Sequence, residues 1–358
     1  MKPTLRAKST QSSPTAMKPI AVVILNWNGA SMLRRFLPDV VANTDSELAD
    51  IIVADNGSDD DSLELLRANF PCVRVIELDE NYGFAEGYNK AIREVDNPYV
   101  VLLNSDASPA PGWLAPMYDY MAAHADVAVV QPKILSVDNP SRFEYAGASG
   151  GFLDRNGYPY CRGRIFDLVE EDRGQYDDIV DIHWASGAAM MIRRRAYIEA
   201  GGLDAGFIAH QEEIDLCWRL RLTGWRIAVV PQSVVYHLGG GTLSADDPRK
   251  TYLNFRNNLL MMAKNLPQSG RRRKLIWRRM LDALAFLKYL GELKYGHAYA
   301  IIKAHRDFSK MRKETESQSV VKEQTNGLKR EPNIIFDYFI MHRRRYSQLG
   351  RERTKTER

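Results

Sequence analysis

The stretch "PYVVLLNSDASPAPGWL", residues 98–114, joins an apolar run to an abrupt polar end. Tyr99 to Leu103 is short, rich in Val and Leu, and has no polar alternation, the pattern of a strand buried on both faces. Asn104, Ser105 and Asp106 follow at once. In an open α/β sheet, ligands meet the carboxyl ends of the strands. A carboxylate placed there needs a reason.

Working outward, the same pattern recurs. "IAVVIL" (20–25) is a buried strand, and "ASMLRRFLPDVVAN" (30–43) is a helix with Pro38 as an expected kink or break. "DIIVADNGSDD" (50–60) is strand then turn, "DSLELLRANF" (61–70) a helix, "VRVIEL" (73–78) a strand, and "GFAEGYNKAIREV" (83–95) a helix. Strands alternating with short helices predict a mostly parallel sheet with helices on both faces and right-handed crossovers. Between Asn139 and Asp178 the alternation stops, and a Gly- and aromatic-rich stretch predicts a long loop or β-hairpin. "HWASGAAMMIRR" resumes as a strand. "EEIDLCWRLRLTGW" is a helix ending near Gly224, and "RIAVVPQSVVYH" is strand-like, with Pro231 interrupting it.

Three strands thus end in polar clusters: Asn26, Asn28 and Gly29; Asp55, Asn56, Gly57, Ser58 and Asp59; Asn104, Ser105 and Asp106. The loop after "VRVIEL" adds Asn81, Gly83 and Phe84. Each cluster alone reads as an Asx turn or a helix cap. Together, along one sheet edge, they suit a sugar nucleotide: amides hold base and ribose edges, and a carboxylate can hold a divalent cation against a diphosphate. The chain has no G-x-x-x-x-G-K-[ST] loop and no G-x-G-x-x-G after its first strand, which argues against an NTPase and a dinucleotide dehydrogenase.

The bulk composition agrees with a packed globular chain. Of 358 residues, 45% are hydrophobic and 26% charged, with a net charge of +4. Cys72, Cys161 and Cys217 lie far apart without metal-like spacing, which favours a reducing, cytoplasmic setting. No apolar run reaches the ~18 residues of a membrane span. Residues 1–16 read as a disordered tail, without the apolar core of a secretion signal and with too little amphipathic pattern for a transit peptide; Met17 is an alternative start.

Taken as an ordered set, "VVILNWNG", "IIVADNGSDD", "NYGFAEGYNKAI", "VVLLNSD", "WASGAAMMIRR", "GGLDAGFIAHQEEIDLCWRLRLTGW" and "VVYHLGGGT" resemble the inverting glycosyltransferases of family 2, in their rhamnosyltransferase-like branch. The resemblance implies a Rossmann-like GT-A fold over residues 17–265, with a mixed, mostly parallel sheet flanked by helices. It leaves 266–358 as a helical, basic extension. It implies a nucleotide-diphosphate sugar donor, a glycan or lipid-linked acceptor, a divalent cation (Mg²⁺ or Mn²⁺) and a place in bacterial surface polysaccharide synthesis. Asp106 matches the family's metal-binding aspartate, with Asn104 in place of the first aspartate of its D-x-D motif. Asp55 matches the residue that contacts the base, alongside Asn26, Asn28, Asn56, Ser58, Asn81, Gly83, Phe84 and Ser105 in the donor crevice.

His237 matches the histidine that completes the metal shell, although a lone histidine is often structural; the glycines after it can approach a diphosphate closely. Arg256 is a further diphosphate contact or a solvated helix charge. The family's acidic pair falls on Glu212 and Glu213. Glu213 is favoured as the base, with Glu212 and Asp215 as alternatives, and Asp215 can instead pair with Arg219 at i,i+4. Trp184 and Gly187 line the acceptor side, unless Trp184 belongs to the core.

Two rivals are weaker. A nucleotidyltransferase calls for a Gly/Arg/Lys-rich loop after the first strand, which "NWNGAS" matches poorly. A non-catalytic sugar-binding relative has no need of Asp106, His237 and a carboxylate pair. The basic stretch from Arg271 mixes charge with Ile276, Met280, Leu284, Leu287 and Leu290 at helical spacing. It predicts either packing on the catalytic domain or reversible contact of residues 271–302 with the inner face of a membrane. Basic charge alone is weak evidence for nucleic acid, and none is expected. The stretch from Arg312 to Pro332 reads as a linker or an exposed helix.

Overall fold

A computed structural model describes residues 17–239, 246–317 and 331–349. The calls on residues 1–16, on the glycine run beyond Gly239 and on most of the 312–332 linker lie outside the described residues.

The first half builds the expected alternation: β1 (Ile20–Asn26), α1 (Ala30–Asn43), β2 (Ala49–Asn56), α2 (Ser62–Asn69), β3 (Arg74–Leu78), α3 (Gly83–Arg93) and β4 (Tyr99–Asn104). In β4, Val100 and Leu102 join one apolar cluster while Val101 and Leu103 join the other, so both faces are buried and the run needs no polar alternation. Helix α1 runs unbroken through Pro38, because Leu33, Phe36, Leu37 and Val40 bury its inner face on the sheet.

Next come β5 (Ala107–Pro109), α4 (Leu114–Ala123) and β6 (Val127–Ser136). The Gly- and aromatic-rich segment folds into a small antiparallel sheet of β7 (Gly151–Leu153), β8 (Pro159–Cys161), β9 (Arg164–Ile165) and β10 (Leu168–Val169). It is followed by β11 (Val180–Asp181), β12 (Ala189–Arg193), α5 (Arg194–Glu199), α6 (Glu212–Leu222) and β13 (Arg226–His237).

The main sheet runs β11-β13-β6-β12-β4-β1-β2-β3, with β5 paired to β13. It is parallel from β4 to β3 and between β6 and β13, and antiparallel where β12 inserts between β4 and β6. Pro231 does not end β13. The strand absorbs it in a register shift between Val230 and Val234.

Helices α7 (Pro248–Asn265), α8 (Gln268–Gly291) and α9 (Tyr295–Ser317) form a helical layer, and α10 (Ile334–Phe339) follows. Buried charge knits this layer together and ties it to Tyr158, just before β8. Arg278 bonds Asn258 of α7, donates to Asp282 Oδ1 at 2.6 Å, and lies over the ring of Tyr158 at 4.1 Å. His305 Nε2 is 3.0 Å from the other oxygen of Asp282. The last segment returns to the small sheet, where Tyr346 packs against Phe152 and Tyr160.

Candidate active site

Sheet register sets the donor side. Asn26 pairs across β1–β2 with Asp55, and Leu25 across β1–β4 with Asn104, so the three polar strand ends stand at one edge. Asn26 Nδ2 donates to Asp55 Oδ1 at 2.9 Å, Ser58 Oγ donates to the same oxygen at 2.7 Å, and Ser58 N donates to Asp55 Oδ2 at 2.9 Å. Asn28, at φ 47°, donates its N–H to Ser58 Oγ and accepts from Asp59 N. Asp55 is therefore the buried organiser of this turn. Asn56 ties the neighbouring loop by donating to Asn81 Oδ1 and Gly83 O and accepting from Tyr82 N. Gly57 has φ 71°, and a Cβ there would lie 2.7 Å from the backbone of Glu80, so only glycine lets the two loops touch. Trp27, between the two asparagines, is 53% exposed beside this edge.

A second cluster forms where β5 turns back against β13. Ala107 pairs with His237, which brings the imidazole beside Asp106: Nε2 is 3.1 Å from Asp106 Oδ1 and 3.2 Å from Asn104 Nδ2. Ser105 completes the turn between Asn104 and Asp106, half-buried. Nδ1 of His237 faces Glu144 Oε2 at 3.5 Å. Burial opposes the imidazolium, but Asp106 and Glu144 outweigh it and push the histidine up to about 10. Burial also works to raise Asp106, and His237 overcomes it, holding the carboxyl below its ordinary range.

The donor set fits a divalent cation. Asp106 and Nε2 of His237 converge, while Glu144 stands as a charge neighbour 3.5 Å from the opposite ring nitrogen, which makes no hydrogen bond. Among the described residues no group of three or more His, Cys, Asp or Glu is placed to hold a metal ion, so Asp106 and His237 are the two candidate ligands here.

The acids stand on the first turn of α6, behind an unusual loop. Ile208, His210 and Gln211 all have φ between 66° and 71°, strained for non-glycine residues and most of all for Ile208. What holds them is α7. Asn257 Nδ2 lies 3.0, 2.8 and 2.7 Å from the carbonyls of Phe207, Ala209 and His210. Asn258 donates to Gln211 Oε1, and Gln211 Nε2 donates to Asn254 O.

So held, Glu212 is buried and Glu213 half-buried, and each has a covered Oε2 without a hydrogen-bond partner. Burial raises both carboxyls. Glu213 is pushed up to about 7, and Glu212 is raised further by the charge of Glu213 beside it. A Cβ on Gly187 would lie 3.7 Å from Glu213 Cβ and 3.5 Å from Phe84 Cζ, so these three meet. Ala188, next to Gly187, accepts the N–H of Asn104 at 3.0 Å. Glu213 and Asn104, whose side chain touches His237, therefore meet the same backbone step.

Three expected roles are corrected. Asp215 is fully buried and spent on Arg219 Nε at 2.7 Å, Lys264 Nζ at 3.1 Å and Asn265 Nδ2 at 2.7 Å, which commits both oxygens to the fold and keeps them from an acceptor. Arg256 is buried, and its guanidinium serves the carbonyls of Gly206 and Phe207 and the amide of Asn257. It stabilises the loop and does not reach for a diphosphate. Trp184 is a core residue, 3% exposed, with Nε1 donating to Phe152 O at 2.9 Å and its ring pressed on Gly151. Gly187 alone of that pair meets Glu213.

The residues missed from the sequence are Glu144, Asn257 and Trp27. Glu144 lies in the irregular segment, with nothing nearby to pair it with His237. Asn257 had a signal: "NFRNN" places a polar run ahead of "LLMMA" in one helix, where burial of the asparagines demands partners.

Residues 21–201 match the family model "Glycosyl transferase family 2". An N-acetylglucosaminyl-diphospho-decaprenol L-rhamnosyltransferase of Mycobacterium tuberculosis is 23% identical over 232 residues, covering 61% of this chain and 75% of that one. Rhamnosyltransferase WbbL of Escherichia coli is 25% identical over 233 residues, covering 61% and 83%. Among solved structures, the mannosyltransferase PcManGT of Pyrobaculum calidifontis, in complex with GDP-Man and Mn²⁺, superposes with a TM-score of 0.51 at 15% identity, covering 87% of this chain and 89% of that one. GalNAc-T7 with UDP, GalNAc and Mn²⁺ superposes at 0.54 with 18% identity, and this chain spans 48% of its length. At these identities the superpositions establish the GT-A fold.

Proposed function

This chain belongs to glycosyl transferase family 2, with rhamnosyltransferases among its relatives, and from that premise we propose a metal-dependent, inverting transfer of a sugar from a nucleotide diphosphate to an acceptor hydroxyl. The observation that carries the reading is the Asp106–His237 contact, linked through Asn104 to the Gly187–Ala188 step that Glu213 also meets.

The turn organised by Asn26, Asp55 and Ser58 cradles the nucleoside, with Trp27 offering an exposed ring and Asn28, Asn56 and Asn81 setting the loops around it. Asp106 and His237 would hold the cation, with Asn104 beside them. When bound, the cation supplies charge stabilisation to the departing diphosphate. Glu213 accepts the acceptor hydroxyl's proton as that oxygen attacks the anomeric carbon opposite the leaving group, which inverts the centre. Burial keeps Glu213's carboxyl high, so the base works near neutrality, and the charge of Glu213 in turn raises Glu212 beside it.

The acceptor is a glycan or lipid-linked sugar of a bacterial surface polysaccharide. The decaprenol-linked acceptor in the Mycobacterium relative's name supports this reading. The chain works at the cytoplasmic face of the membrane as a peripheral enzyme; among the described residues no helix is long and apolar enough to cross it.

Donor hydrolysis tests the proposal. A panel of nucleotide sugars, nucleotide-diphosphate rhamnose first, is incubated with Mn²⁺ or Mg²⁺, and free sugar is measured. Asp106→Asn is expected to remove metal-dependent donor binding while leaving the melting transition in place. Donor affinity unchanged in that variant, read by calorimetry, overturns the metal assignment.

A further inference from the structure

Helix α8 is inside out. Its buried stripe is Arg271, Leu275, Arg278 and Asp282, spaced 4, 3 and 4 residues apart, so three of the four residues facing the protein are charged. Its outward face carries Ile276, Trp277, Met280, Leu284 and Leu287, each between 47% and 62% exposed. Charged groups facing inward are held by Asn258, Asp282 and the carbonyl of Leu266. Among the described residues nothing covers the outward apolar stripe. Water is a poor solvent for five large apolar side chains in a row.

We propose that this face docks on an anionic lipid surface, with the α8 stripe lying in the headgroup–acyl boundary. Charge selects the occupant. Arg272, Arg273 and Arg279 are exposed along the same helix, and each basic group near an anionic leaflet contributes about 1 kcal/mol. Trp277 sits within the stripe, and an indole suits the interface between water and acyl chains. A second copy of the chain is the alternative occupant, and the test below separates it from lipid. The inference gives residues to the peripheral placement under the proposed function, and it is independent of which sugar is moved.

The test uses the full chain and two surface variants, Leu284→Gln/Leu287→Gln and Arg272→Gln/Arg273→Gln. Neither pair touches the crevice or the buried stripe. Co-sedimentation is measured with phosphatidylglycerol-containing and pure phosphatidylcholine vesicles, at low and high salt. The wild type should bind the anionic vesicles and release with salt, since exposed charges are screened over about 8 Å at physiological ionic strength. The leucine variant should lose binding about tenfold or more at either salt. The arginine variant should bind weakly and with a smaller salt response.

Equal binding by wild type and leucine variant, or by neutral and anionic vesicles, overturns the proposal. So does self-association, read by sedimentation velocity, that the leucine variant abolishes in a wild type that ignores vesicles. Donor hydrolysis on the same preparations separates the two readings. Hydrolysis without vesicle binding removes the docking face alone, and vesicle binding without hydrolysis removes the chemistry alone.

Discussion

Glu213 and Asp215 lie two residues apart on α6, yet the two sides of that turn do opposite work. Asp215 faces the helical layer, where Arg219, Lys264 and Asn265 use both of its oxygens. Glu213 faces Gly187 and Phe84 and keeps a covered oxygen without a partner. A paired buried carboxylate fixes structure, and its oxygens are already taken. An unpaired one is costly to bury but ready to accept a proton near pH 7. The difference between them is neighbourhood, not residue type.

The largest effect that can break this contrast is Glu213→Gln. Transfer should fall by about 10²–10⁴, the usual worth of a general base, while calorimetric donor affinity stays near wild type. If Glu212→Gln carries that loss instead, the base moves one residue back.

Asp215→Asn should act on the other side of the turn. It strands Lys264 and Arg219 in a buried site, and breaking such a pair costs about 3–5 kcal/mol, read as a lowered denaturant midpoint. The variant that remains folded should still turn over. Full stability with lost turnover would place Asp215 in the chemistry after all.

Asn257→Ala sharpens the comparison at a distance. With three carbonyls released, the loop at Ile208–Gln211 can leave its strained conformation, and Glu213 loses its position. Turnover should drop about tenfold with donor KM little changed, since positioning acts on the reacting geometry. A change in donor KM alone would instead tie the loop to donor binding.

The smallest effect is a pair of opposed pH trends. Glu213 must be ionised to act, so activity should rise with pH through about 7. Its folded pKa lies above the unfolded value, so the folded state holds the proton longer. The stability from this group is complete below pH ~4.3 and is lost as pH rises through about 7. Rate profiles and melting scans should therefore run in opposite directions, and Glu213→Gln should flatten both. Parallel trends would assign the titration to another group.

The places of many candidate residues at strand and helix ends are legible in the sequence. Strand ends are written as apolar runs that stop at polar residues, and that pattern located Asn26, Asp55, Asn104 and Asp106. The acidic pair was visible as two adjacent glutamates at a helix start. Roles that depend on what packs against a side chain were not legible. Trp184 beside Gly187 reads as a stacking platform until Gly151 is seen pressed under its ring. Arg256 reads as an anion contact until the 206–207 carbonyls are seen to occupy it. The register shift that carries β13 past Pro231 was likewise hidden, since a proline normally argues against a continuous strand.

By itself, then, the sequence determined the alternating α/β order, the sheet edge that carries the polar residues, and the residue types available there. These follow from local periodicity, which short windows of chain express. The tertiary structure alone decided that Glu144, on the segment after β6, faces His237, that Asn257 grips a loop 47–50 residues before it, and that α8 turns Arg271, Arg278 and Asp282 inward and Leu284 and Leu287 out. Each is a contact between distant segments or a choice of which helix face is buried. Helical spacing marks a stripe, but only the partner's surface determines whether that stripe faces protein or the surroundings.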